Sequence, residues 1–362
     1  MATLGAIDRV ANLSPTAPAE HAPVDVSVEQ APGAWNEYVV RHADATGYHE
    51  WAWREVFQRA FGCQVLYFAA RRGSTIVGVL PTVFLDSWLF GRALVSLPFL
   101  NYGGVLADDG IAARALLAAA IAAARERGCR HVELRHFQQH FADLPCKRHK
   151  VTMRLPLRQP NGLWENLDRK ARNQVRKAQK SGLTYREGGP DLLGSFYAVF
   201  ARNMRDLGTP VYSSRLFAEV LGAFPDRARI HVVAHESTPV AAGLTFETRG
   251  TVEIPWASSV RDFNALCPNH LLYWNALDRA SARGCSTFDF GRSTPHEGTY
   301  KFKEQWGAQP VPLYWEYGLL DGGELPNASP TNPKFRLAIA TWKRLPLPVA
   351  NWIGPRIAQA IP

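Results

Sequence analysis

Cysteine is scarce in this chain and is not arranged for pairing. The five residues, Cys63, Cys129, Cys146, Cys267 and Cys285, are odd in number, widely spaced and free of any C-x-x-C pair. That excludes a disulfide framework and makes a reducing cytoplasm the natural compartment. Long apolar runs are missing too. The longest, Ile111 to Ala124, is alanine-rich and interrupted by Arg114. It falls short of the ~20 residues a bilayer span needs and reads as a core helix. Residues 1–33 contain Asp8, Glu20, Asp25 and several prolines but no apolar h-region, so a secretory signal is not expected and the segment reads as a disordered lead-in. No P-loop and no G-x-G-x-x-G occurs. Metal-ligand spacing is weak: His136 and His140 stand i, i+4 apart as in a helical site, yet no glutamate lies between them, and Cys146-x-x-His149 follows Pro145. No metal is expected. Ser293 and His296 suggest a hydrolase dyad, but no G-x-S-x-G elbow surrounds the serine.

What is present is enough apolar material for more than one core. The chain has 362 residues, 46% hydrophobic and 11% aromatic, which excludes general disorder and favours two domains. The net charge of +9 implies an anionic partner: nucleic acid, a phosphorylated glycan precursor or an acidic membrane face.

Two stretches echo each other. Arg127-Gly128-Cys129 precedes His131-Val132-Glu133-Leu134, and Arg283-Gly284-Cys285 precedes Thr287-Phe288-Asp289-Phe290. Each follows a long apolar helix pattern, and upstream of each lies a strand-turn-strand whose second strand carries a glycine, Gly78 or Gly243. A repeat this long is two tandem α/β domains with mixed sheets rather than a solenoid. The boundaries read as 34–155 and 156–322, with a basic amphipathic tail at 333–362. Within them, Val24 to Val28 reads as a strand, Gly47 to Phe61 as a helix, and Leu144 to Pro160 as a connection containing an extended piece, Val151 to Leu155. Asn161 is the N-cap expected for a basic helix running to Lys180. In the tail, Phe335, Ala338, Ile339 and Trp342 share a helical face among basic residues, and Trp352, Ile353 and Arg356 follow. Such a stretch suits an anionic membrane surface, or else packs its stripe on the domain body.

Four constellations bear on chemistry. Tyr300 and Lys303 share one face of a short helix and Phe302 and Trp306 another, so a cation is offered beside an anchored apolar face. Such an ammonium can stabilise a carbonyl oxyanion, or its stem can simply cover Trp306. Asp289 points away from Phe288 and Phe290 near a sharp exit at Gly291, as an acid/base or as the partner of Arg292. The basic helix presents Arg169, Arg172, Arg176 and Lys180 with Lys170 and Lys177, either for phosphate or as a solvated face. Asn269 and His270 open the helix that runs to Arg283 and are candidate substrate contacts.

These residues carry a resemblance. Tyr300, Phe302, Lys303, Trp306 and Gly307 look like the Tyr-x-Phe-Lys-x-x-aromatic-Gly stretch of the Fem-type aminoacyltransferases, and Lys170 to Leu183 resembles the helix opening their second domain. Leu97 to Leu106, Asp289 to Thr294 and Asn332 to Ala338 resemble the FemAB-related subfamily associated with PEP-CTERM/exosortase and exopolysaccharide gene clusters. The resemblance implies two tandem GNAT-like acyl-CoA N-acyltransferase domains and a cytoplasmic enzyme without a permanently bound cofactor. The acceptor would be an amine on a phosphorylated glycan or peptide precursor. The chain has no counterpart of the helical hairpin thought to help hold tRNA in some relatives. Nor does Leu266-Cys267-Pro268-Asn269 match the Gln/Arg-x-x-Gly-x-Gly/Ala loop that holds the pyrophosphate of acetyl-CoA. The donor is thus left open between acyl-CoA and aminoacyl-tRNA. On this reading Lys303 stabilises the oxyanion and Tyr300 and Asp289 orient the amine. Arg172, Arg176 and Lys177 meet phosphates in the cleft, Asn101 and Tyr102 sit at its lip, and Arg292, Asn269 and His270 contact substrate. A non-catalytic precursor-binding protein at the membrane face and a tRNA-binding module are the other classes considered.

Overall fold

The computed structural model describes residues 23–361 apart from 89, 158–161, 321, 323 and 327–332. Residues 1–22 of the lead-in, the Asn161 cap and Asn332 lie outside the described residues. Ordered structure begins earlier than position 34, with strand β1 at Asp25–Val28 and helix α1 at Pro32–Arg41. The first module continues with α2 (Ala52–Phe61), β2 (Gln64–Arg72), β3 (Thr75–Ser87), β4 (Gly91–Val95), a short β5 (Leu106–Ala107), α3 (Gly110–Glu126) and β6 (His131–His136). Strand β7 (Cys146–Pro156) follows. The second module opens with α4 (Leu163–Asn166), α5 (Arg169–Gln179), β8 (Leu183–Gly188), α6 (Leu193–Leu207) and α7 (Ser214–Ala223). It proceeds through β9 (Ala228–His235), β10 (Thr238–Thr248), β11 (Thr251–Ser259), α8 (Pro268–Ala282), β12 (Thr287–Ser293), α9 (Gly298–Glu304) and β13 (Gln309–Leu319). The tail forms α10 (Pro333–Trp342) and α11 (Leu347–Ala358).

Among the described residues these strands make one sheet in the order β1-β2-β3-β4-β6-β13-β7-β12-β11-β10-β9-β8, with β5 on β3. Read from either end the order is the same once each strand is matched to its repeat, so the molecule has an internal pseudo-two-fold. The last strand of each module is exchanged. β13 pairs antiparallel with β6, and β7 pairs antiparallel with β12. This corrects the expectation that Leu144 to Pro160 is a connection: its extended piece, Val151 to Leu155, belongs to the central strand β7. A linker and a central strand of this composition look alike locally, because Lys147 to Lys150 and Pro156 mask the apolar alternation of Val151 and Met153.

Two other elements differ from expectation. Gly47 to Phe61 is a 3₁₀ turn, Gly47–His49, followed by α2. The carbonyls of Gly47 and His49 accept from the indoles of Trp53 (2.9 Å) and Trp35 (2.7 Å), which draws them out of an α-helical ladder. The basic helix is broken at Leu167, and α5 is capped by Asp168, whose carboxylate accepts from the Lys170 amide at 2.6 Å. The alanine-rich α3 is a core helix, capped by Asp109 and burying Leu116, Leu117, Ala120 and Ala124.

The largest core spans both modules. Trp53 of α2 meets Phe224 at 5.1 Å and Phe246 of β10 at 5.7 Å. Gly47 lies so close to β10 that an added Cβ would stand 2.5 Å from the Phe246 ring. Each buried aromatic contributes roughly 1.5–3 kcal/mol, far more than the flanking Arg227–Glu50 ion pair, so apolar burial is what joins the halves.

Candidate functional site

β11 and β12 run parallel for three rungs, and the last is Glu253 opposite Asp289. Beyond it the strands part. Both carboxylates are buried, at 3% and 0% exposure. Asn101 donates to Glu253 Oε1 at 2.6 Å, and the Tyr102 hydroxyl donates to Oε2 at 2.7 Å while lying 3.4 Å from Asp289 Oδ2. A bulge between Asp289 and Arg292 is made by Gly291 at φ +72°, a conformation a side chain would strain. It turns the Gly291 amide back onto Asp289 Oδ1 at 2.8 Å. Thr152 of β7 also donates to Oδ1, and Arg154 stands 3.4 Å from Oδ2.

Burial, and after it the charge of Asp289, pushes Glu253 up to about 8. Burial raises Asp289 as well, against the opposing pull of Thr152 and Arg154. Two carboxylates this close share their protons as a pair. Glu253 lay in an apolar run, Val252-Glu253-Ile254, and that lone charge is the signal sequence reading passed over.

Lys303 is buried beside this pair. Its ammonium donates to the carbonyls of Gly291 (2.9 Å) and Arg292 (3.0 Å), and burial lowers its pKa to about 8. Two of the three ammonium donors of Lys303 are held by main chain and the residue lines neither of the two cavities described below, so it fixes the bulge and balances Asp289. Tyr300 packs in the core of the second module, its ring 5.7 Å from His296, outside the hydrogen bonds of the carboxylate pair.

Other expected contacts are dispersed. Arg172, Arg176 and Lys177 lie on α5, which packs on α8; Arg176 stacks over Trp164 at 5.4 Å, and none of the three lines either cavity. Their expected place in the cleft is therefore not at the wall of either of these two cavities. Asn269 and His270 sit where α5, α8 and α9 meet. The His270 ring is 5.2 Å from Phe302, and burial with Lys170 nearby lowers it to about 4. Arg292 does not pair with Asp289 but reaches over Trp315 at 5.2 Å.

Two cavities flank the centre. One, of 680 Å³, is lined by Glu133, Arg135, Lys150, Arg292, Trp315 and Tyr212 among others. The second, of 510 Å³, reaches Tyr102, His49, Arg154 and Thr251. Arg135 borders both. His136 ends a strand rather than lying on a helix. Its Nδ1 faces Glu316 at 2.8 Å and its Nε2 accepts from Val105 at 2.8 Å, so neither nitrogen is free for zinc. Among the described residues no group of three or more His, Cys, Asp or Glu side chains could hold a metal. Ser293 Oγ is buried without a hydrogen-bond partner, so it forms no dyad with His296.

Residues 166–304 match the model of an acetyltransferase (GNAT) domain. Solved structures agree on the fold. A structure of FemX superposes with a TM-score of 0.62 at 15% identity, over 82% of this chain and 98% of that one. A tandem GNAT protein from the clavulanic acid biosynthesis pathway gives 0.54 at 13%, over 82% and 98%. The C-terminal domain of a putative lysylphosphatidylglycerol synthetase from Agrobacterium fabrum gives 0.55 at 13%, over 79% and 90%. No curated protein sequence matches. The chain is thus an α/β protein of two tandem GNAT-like modules, with the exchange of β7 and β13 joining them into one sheet.

Proposed function

We propose that this chain is an N-acyltransferase whose proton-handling group is the Glu253–Asp289 pair of the second module. The observation that carries the reading is the rung that sets these buried carboxylates opposite each other where β11 and β12 part, with the Tyr102 hydroxyl bonded to one and near the other. Tyr102 and Arg154 also form part of the wall of the 510 Å³ cavity, so the pair communicates with a space that can hold a substrate.

In this mechanism an acceptor ammonium in that cavity gives one proton through Tyr102 to Glu253, whose value near 8 suits an amine. The neutral nitrogen's lone pair then bonds the acyl carbon while the carbonyl pair moves to oxygen. Arg154 is the cation of the cluster that reaches the cavity wall, and we assign it that oxyanion. Collapse expels the donor's sulfur or ribose oxygen, which takes the surplus proton from nitrogen. Asp289 holds the field around Glu253, Asn101 orients it, and Lys303 is a positioning residue.

The finer reading rests on the family resemblance: an amine on a phosphorylated cell-envelope or exopolysaccharide precursor of a PEP-CTERM/exosortase-type system, used in the cytoplasm, with acyl-CoA or aminoacyl-tRNA as donor. Among the described residues no helix is long and apolar enough to cross a membrane. Peripheral contact through the tail is supported by its outer face, where Leu337 and Trp352 are 79% and 69% exposed and Arg356 stacks on Trp352. Its other face packs on the body through Trp342, Ala350 and Gly354, as the packing alternative for this stripe expects.

The test is transfer from acyl-CoA and aminoacyl-tRNA to a panel of amines, followed by mass spectrometry. Glu253→Gln, folded by circular dichroism, is expected to lose about 100-fold or more in turnover. Undiminished turnover in that variant would sink the assignment.

A further inference from the structure

The larger cavity lies in the first module's half of the centre, at the place that repeats the carboxylate pair. β4 and β6 also pair in parallel for three rungs, and the last is Val95 opposite Glu133, the counterpart of Glu253 opposite Asp289. Here the chemistry is inverted. Glu133 is held by the Arg135 guanidinium at 2.7 Å. The remaining cations of the wall, Lys147, Arg148, Lys150 and Arg292, have no carboxylate within ion-pairing distance among the described residues. What they do bond is neutral: Lys147 the Pro326 carbonyl, Arg148 the Gln139 side-chain oxygen, and Lys150 the Thr294 hydroxyl at 2.6 Å. Arg292 lies over the face of Trp315, which also carries Arg135 at 4.3 Å.

Like charges that outnumber their counter-ions disfavour one another, and the titration of the group reflects it even though Glu133 and Glu297 pull the other way. Burial first and then Arg135 lower Arg292 to about 10, and burial and Arg292 lower Lys150. His149, edge-on to Trp315, is pushed down to about 4 and is neutral at neutral pH. A cavity built this way is completed by an anion. Its volume of 680 Å³ exceeds what inorganic phosphate fills and suits a small organic molecule. Trp315, Tyr212 and Phe99 supply a planar apolar wall, and the Trp315 indole N–H is buried without an acceptor.

We propose that this cavity binds an organic phosphate or diphosphate, its oxygens held by Arg292, Lys150 and Lys147 and its organic part laid against Trp315 and Tyr212. This deepens the transferase reading, because it gives the phosphorylated part of a substrate a site that α5 does not provide. Arg292 lies three residues beyond Asp289 on β12, so such a ligand would reach the acyl-transfer site along one strand. A concave space of this volume fits a single small polyanion rather than a duplex.

Calorimetric titration of the full chain with inorganic pyrophosphate, with a nucleoside diphosphate, and with phosphatidylcholine vesicles with and without phosphatidic acid tests it. At least one phosphate probe should bind, with affinity falling tenfold or more in Arg292→Gln and in Lys150→Gln, and with Trp315→Phe removing the accompanying fluorescence change. A response to the soluble diphosphate assigns a soluble source, and a response confined to phosphatidic acid vesicles a lipid one. Arg148→Gln, at an exposed position, keeps the test open if a buried variant fails to fold. Affinity unchanged in all of these, or lost instead in Arg176→Gln/Lys177→Gln, overturns the proposal. Binding that survives in Glu253→Gln while turnover is lost separates this site from the carboxylate pair.

Discussion

The Lys303 ammonium and the Gly291 carbonyl are joined by a 2.9 Å hydrogen bond that ties α9 to the bulge of β12. The same bulge aims the Gly291 amide at Asp289, so the lysine acts on the carboxylate pair through main chain as well as through charge. Lys303→Met should therefore strand two buried carbonyls, costing about 1–3 kcal/mol, and should raise the pKa governing turnover by removing a nearby cation. Thermal melts together with a pH–rate profile check this. A variant that loses stability without any displacement of the profile would limit Lys303 to a structural tie.

The pH dependence of Glu253 follows from its direction of shift. Its folded value is raised from 4.5 to about 8, so the protonated folded form is favoured. The stability it contributes is full below its unfolded value and is lost as pH rises toward 8. Glu253→Gln should flatten this decline, making the variant relatively more stable in alkaline buffer. Denaturant unfolding at pH 5, 7 and 9 would show it; parallel curves for the two proteins would contradict it.

Turnover in the wild type should rise with pH through about 8, since Glu253 must be ionised to take the acceptor's proton. Initial rates at saturating donor give the midpoint, and a flat profile between pH 6 and 9 would remove Glu253 as the base.

At the junction of the modules, packing should outweigh charge. Trp53→Ala is expected to cost about 3–5 kcal/mol, and Gly47→Ala about 1–3 kcal/mol because of the Phe246 clash. A double-mutant cycle on Arg227 and Glu50, whose side chains are 40% and 24% exposed, should return roughly 1 kcal/mol or less. Equilibrium unfolding ranks the three, and a dominant ion pair would reverse this account of the junction.

On the tail, Trp352→Ser should leave folding stability within about 0.5 kcal/mol, because the ring is exposed. It should weaken sedimentation with anionic vesicles, and unchanged sedimentation would leave the tail a packing element alone.

Much of the fold is legible in the residues themselves. The repeated Arg-Gly-Cys segments mark α3 with β6 and α8 with β12, because an apolar helix period and a glycine at its end are local signals. Asp289 stands out as a polar residue between Phe288 and Phe290, whereas Asn101 and Tyr102 enter through the family resemblance. Arg172, Arg176 and Lys177 stand out equally, yet they lie on α5 away from both cavities, since a basic helix face looks the same wherever it is docked.

What the chain alone determined is its repeat, its mixed α/β character and its lack of disulfide pairs, all carried by short-range periodicity and composition. Only the tertiary structure decided that β7 and β13 trade places, that Glu253 faces Asp289, and that Lys303 turns to main chain. Each depends on which distant strand lies alongside and in what register, and hydrogen bonds between strands are blind to separation along the chain.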